Sequence, residues 1–130
     1  MRELTGHKVN PANDTLAVKV LDEPGAGGAC HLYEISGFTA HTNASKRDDM
    51  PWDRVFVLFR NGPIAEHGVN GVTQEALLAI LIDRMESFQA GPYANDYNAA
   101  ALNHLKSAQG ALLDRTRERM SRGVEGTHQK

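Results

Sequence analysis

TQEALLAILIDRMESFQAGPYANDYNAAALNHLKSAQGALLDRTRERMS, residues 73–121, decides the fold. Thr73 is a good N-cap, and Glu75 stands near the positive end of the helix dipole that would follow it. From Gln74 onward Leu77, Ile80, Leu81, Met85 and Phe88 fall on one helical face, widened by Leu78 and Ile82. So broad an apolar arc calls for more than one packing partner. AGPY (90–93) is a tight break. A second helix is predicted from about Tyr93 or Asn95 to about Ser121, with the apolar line Ala101, Leu102, Leu105, Ala108 and Leu112. Gly123 is placed to end it. The short connection makes the two helices an antiparallel hairpin. At the rise of an α-helix, roughly 17 residues span about 25 Å and roughly 27 span about 40 Å. The first helix therefore runs out near residue 110 of the second. The arginine-rich end then projects beside the start of the first helix and the loop NGPIAEHGVNG (61–71). Something must cover this overhang: a sheet, another subunit or a ligand.

Upstream the pattern is different. Residues 1–15 are polar with Asn-Pro and Asn-Asp turn signals, and are expected to be loose. LAVKVL (16–21), CHLYEI (30–35) and VFVLFR (55–60) have strand composition, the last most strongly. Three strands without intervening helices predict a small antiparallel sheet. The polar connection 36–54, which contains Trp52, is a candidate mobile or ligand-covering loop. The expected fold is α+β, one domain over 1–130, with the sheet at about 16–60 and the hairpin at about 73–122.

Bulk properties narrow the function. The net charge of -2 provides no global field for a nucleic-acid polymer or an anionic membrane, so any anion site must be local. One cysteine, Cys30, rules out an intrachain disulfide and suits a reducing compartment. No apolar signal core follows Met1, and the longest apolar run, 76–82, is far short of a membrane span. A small soluble intracellular protein is expected. The histidines at 7, 31, 41, 67, 104 and 128 lack metal-ligand spacing. PGAGG (24–28) lacks the Gly-Lys-Ser/Thr of a phosphate loop. No nucleophile–base signature or close carboxylate pair stands out, so nothing argues for an enzyme, a metal or a cofactor. The sheet is also too poor in aromatic and basic residues for RNA binding.

The arginines remain. Arg115, Arg119 and Arg122 stand at i, i+4 and i+7 and share a stripe with Ala108 and Leu112, whereas Arg117 points elsewhere. Thr116 neighbours the stripe. Guanidinium forks and a hydroxyl beside a helix N-terminus would suit a phosphate. Two plainer readings stay open: cations offsetting the helix dipole with Asp114 and Glu118 as local partners, and arginines at a subunit seam. Asn98 sits on the core side of the second helix, across the turn from Phe88. That pair reads as core packing or as an edge reader with a stacking platform.

NGPIAEHGVNGVTQEALLAILIDRM, FQAGPYANDYNAAAL and LLDRTRERMSRGVEGTHQK together resemble the phage-encoded nucleotide-signal sponges. That family includes the Thoeris anti-defence proteins and shares a helical hairpin with the smaller anti-CBASS sponge proteins. The resemblance covers about residues 61–128 and is weaker over the sheet. It implies a non-enzymatic homo-oligomer, often a hexamer built as a trimer of dimers, that works in the host cytoplasm. Such a protein sequesters, without cleaving, cyclic ADP-ribose isomers and in some members cyclic oligonucleotides at a separate site. By position, Phe88 and Asn98 are similar to the residues of the cyclic ADP-ribose pocket. Arg115 and Thr116, with Arg119 in addition, are similar to the set that contacts the phosphates of cyclic oligonucleotides.

Overall fold

A computed structural model describes residues 1–130. In chain order the elements are β1 (Arg2–Leu4), α1 (Pro11–Asp14), β2 (Ala17–Val20), β3 (Leu32–Ser36), β4 (Arg54–Leu58), α2 (Ile64–His67), α3 (Gln74–Gln89) and α4 (Asp96–Ser121). They fall into two compact units, Met1–Asn61 and Gly62–Lys130. The fold is α+β, an antiparallel sheet followed by a helical hairpin, as the sequence predicts.

The sheet has four strands in the order β1-β2-β3-β4, all antiparallel. The expectation of a loose N-terminus is corrected, because Arg2, Glu3 and Leu4 pair with Val20, Lys19 and Val18. Alternation along paired strands puts Leu4, Val18, Val20, Tyr33, Ile35, Val55 and Val57 on one face. Val20 is its buried centre. Lys19 lies between Glu3 and Glu34 on the other, more polar face, where Arg54 approaches Glu34 at 3.7 Å.

Asp22 aligns the start of β3. Its carboxylate accepts hydrogen bonds from the backbone N–H of His31 at 2.9 and 3.1 Å and of Leu32 at 3.1 Å. The His31 N–H above all holds the Asp22 carboxyl below its ordinary value, against the cost of desolvation. A depressed carboxyl pKa adds stability above the unfolded-state value, and that stability is lost as the pH falls through the folded value. Asp22→Ala is therefore expected to lower the urea midpoint at neutral pH. The gap to the parent protein should narrow as the pH falls below about 3.9.

Gly37 ends β3 with φ of +90°, and a Cβ there would lie 1.8 Å from the Thr15 carbonyl oxygen. Gly37→Ala is expected to destabilise the sheet unit by about 2 kcal/mol or more, read by thermal unfolding. The connection after it is ordered. Ala40 N–H donates to the Trp52 carbonyl at 2.7 Å, closing a loop whose interior turns are tied by Asn43 to Ala40, Lys46 to Asn43 and Met50 to Arg47. Compact surface loops with joined ends are often functional.

In the second unit Thr73 caps α3 by accepting from Ala76 N–H, and Asn95 caps α4 by accepting from Asn98 N–H. Gly123, at φ of +73°, stops α4 by the αL route expected of it. The helices form the predicted antiparallel hairpin. Its last direct tie is Gln109, which donates to the Glu75 carbonyl at 3.3 Å, matching the overhang predicted near residue 110. The contact face differs from the expected one. On α3 the covered positions are 75, 77, 78, 82, 85 and 89, with Ile82 deepest. On α4 they include 98, 102, 105, 109, 112, 116 and 119. Within them, 75, 78, 82, 85 and 89 on α3 and the named positions on α4 alternate in threes and fours, the seam of a two-stranded coil, and Leu77 is half-covered beside it. Leu78, Ile82 and Met85 thus meet α4, whereas Ile80, Leu81 and Phe88 remain exposed.

Candidate functional site

The base of the hairpin gathers the arginines, and the structure gives each a different role. Arg119 lies on the inward line and is 5% exposed. Residues 124–130 fold back around it. Its Nε donates to Glu125 at 2.9 Å and its Nη2 to the carbonyls of Val124 at 2.8 Å and Thr127 at 3.3 Å, with Nη1 on the Gln129 carbonyl. A guanidinium has five N–H donors in a rigid fork, so one side chain can fasten an irregular segment at several points. The tail also reaches α2. The Gly126 carbonyl accepts from Ala65 N–H at 3.2 Å, and His128 approaches Glu66 at 3.4 Å. This intrachain cover at the Arg119 end was missed in the sequence, which offered a sheet, a subunit or a ligand instead.

The other arginines sort by partner. Arg117 pairs with Asp114 at 3.0 Å. Arg122 pairs with Glu118 and donates to the Lys130 carbonyl at 2.7 Å. Arg115 is exposed, with no intrachain ion pair or hydrogen bond holding its guanidinium. Thr116, next to it, is half-buried on the inward line. The expected basic stripe of Arg115, Arg119 and Arg122 is therefore divided. Arg115 offers free donors to solvent, whereas Arg119 can meet a ligand only if the tail moves.

Phe88 and Asn98 lie at the opposite, closed end. Seventeen residues separate Asn98 from Arg115, about 25 Å along the helix, so the two sets are separate places. Phe88 is 40% exposed and carries the Arg84 guanidinium 5.6 Å from its ring centre. The ring is thus part-exposed with a cation over it rather than buried in the hairpin core. Asn98 is half-buried, and its amide donates to the Tyr93 carbonyl at 3.3 Å, leaving its carbonyl oxygen for another donor. Arg84 is a neighbour of Phe88 that the apolar pattern of α3 does not single out. Its position four residues before Phe88 was the signal. No group of three or more His, Cys, Asp or Glu side chains could hold a metal ion. No helix is long and apolar enough to cross a membrane.

These features define a small α+β protein whose second half is an antiparallel helical hairpin with polar groups at both ends. Residues 53–116 match the model of the family described as the Acb2/Tad1 hairpin domain. All of β4, α2 and α3 and most of α4 lie in that span, as do Phe88, Asn98, Arg115 and Thr116. The chain is also similar to Thoeris anti-defense 1 of Bacillus phage SBSphiJ7, at 47% identity over 74 residues, 57% of this chain and 52% of that protein. It thus spans about half the length of the curated relative it matches.

Proposed function

We propose that this is a phage anti-defence protein that binds and sequesters, without cleaving, cyclic nucleotide immune signals. The ligands are cyclic ADP-ribose isomers at the Phe88–Asn98 end and cyclic oligonucleotides at the Arg115–Thr116 end, in the host cytoplasm. The observation that carries the reading is the uncommitted Arg115 guanidinium beside Thr116, in a hairpin whose relative is named for anti-defence. A free fork of N–H donors is suited to a phosphate. Phe88 provides a ring face for a base, with Asn98 to bond its edge. Arg119 acts through the tail, which it keeps folded below Arg115. The exposed Ile80 and Leu81 call for a partner, supplied in this reading by further copies of the chain in a hexamer, a trimer of dimers. Arginines of neighbouring copies would then meet the repeated phosphates of one cyclic ligand.

Calorimetry with cyclic ADP-ribose isomers and a cyclic trinucleotide tests the proposal. Sub-micromolar binding, with intact ligand recovered after proteolysis of the complex, is the expected result. Binding weaker than micromolar to all of them, or a processed product, would defeat it. The same exposed apolar side chains favour a second reading, an oligomeric interaction module without a small ligand, in which Arg115 is a seam residue. Native mass spectrometry of Arg115→Ala separates the two, because only the seam reading makes the assembly fall apart.

A further inference from the structure

The closed loop 40–52 packs beside β4 in the sheet unit and builds a cleft of about 350 Å³. Phe38, Met50, Pro51, Val55 and Phe56 form its apolar wall, and Phe56 is 52% exposed, an unusual position for a phenylalanine. Asn43, Ser45, Lys46 and Arg54 are the polar residues that line it. An apolar wall with a few convergent polar groups is the usual form of a small-molecule site, and this volume lies at the small end of such sites.

The cations of the cleft region are not equivalent. Arg47 is held by both carboxylate oxygens of Asp49, at 3.1 and 2.8 Å. Arg54 is shared between Asp53 at 3.3 Å and Glu34 at 3.7 Å. Lys46 has no carboxylate partner. Its ammonium donates to the Arg47 carbonyl at 3.0 Å and rests 3.9 Å from the ring centre of Trp52. The indole is in turn stacked on His41, with ring centres 6.4 Å apart. A half-buried lysine over an aromatic face has one weak interaction to exchange for a stronger one.

We propose that this cleft binds a planar aromatic molecule of about mononucleotide size that carries one anionic group. The ring lies against Phe56 and the apolar wall, Asn43 and Ser45 bond its edge, and Lys46 pairs with the anion. One unpaired cation matches one anionic group, and the volume matches a single ring system rather than a cyclic dinucleotide. The residues are all distinct from Phe88, Asn98, Arg115 and Thr116, so the site stands or falls separately from the proposed function.

Trp52, the one tryptophan of the chain, is a built-in reporter. Titration with adenosine 5′-monophosphate is expected to give a saturable change in its emission, confirmed by calorimetry. Adenosine should bind at least about 10-fold more weakly and inorganic phosphate should give no response, since each satisfies only half of the site. Lys46→Ala should weaken adenosine 5′-monophosphate about 10-fold or more, and Phe56→Ser should weaken adenosine as well. Arg115→Ala should leave the response intact. Absence of saturable binding overturns the proposal, as does equal affinity in the parent and Lys46→Ala proteins. Loss of the response in Arg115→Ala would place the ligand on the hairpin and also overturn it. A Phe56→Ser protein that changes oligomeric state while binding normally would show the cleft to be a subunit contact instead.

Discussion

Arg119→Ala is expected to free residues 124–130 from the end of α4 and to lower the stability of the helical unit by about 3–5 kcal/mol, the cost of breaking a buried ion pair from one side. The guanidinium is 5% exposed, bonds one carboxylate and accounts for three tail carbonyls. Removing it leaves Glu125 without its partner and those carbonyls with fewer donors. Urea unfolding followed by helical circular dichroism measures the loss, and limited proteolysis should find the tail cleaved early. Arg119→Lys should recover only part of the stability. A point charge can keep Glu125 but cannot reproduce the fork that reaches the carbonyls. If Arg119→Ala unfolds at the parent's midpoint, the tail is not a structural element.

Arg115→Ala should have the opposite profile. The side chain is exposed and pairs with nothing in its own chain, so folding stability should change by no more than about 0.5 kcal/mol. Cyclic oligonucleotide affinity should fall by about 1.5–3 kcal/mol for each charge-assisted bond lost, roughly 10- to 150-fold in Kd. The loss should be larger where several copies face one ligand, and parent binding should weaken as salt is raised. Cyclic ADP-ribose binding should be spared, because Phe88 and Asn98 lie at the other end of the hairpin. Phe88→Ala should give the reverse pattern. Parallel loss of both ligands in Arg115→Ala would mean one shared site rather than two.

Much of this arrangement is legible in residue order. Thr73 and Gly123 mark helix limits by local chemistry: a hydroxyl takes a free N–H, and a residue without Cβ takes the left-handed turn. VFVLFR announces β4 by composition. The mismatch in helix length is arithmetic, and Gln109 on the Glu75 carbonyl bears it out. That Phe88 and Asn98 stand at the same end of the hairpin follows from the short turn between their helices. β1 is less legible. Three residues carry no periodicity, and they become a strand only because β2, more than ten positions away, supplies their hydrogen bonds.

The sequence by itself determined that this chain is a sheet followed by a helical hairpin, because strand pattern, caps and helix stops are local signals. It also placed the arginines at an end that outruns its partner. Only the tertiary structure decided which face of α3 is covered, because two apolar faces compete on that helix and the 3–4 seam selects Leu78, Ile82 and Met85 over Ile80 and Leu81. Only the tertiary structure separated Arg119 from Arg115. Four residues apart, they are chemically the same side chain, and the returning tail encloses one guanidinium and leaves the other in solvent.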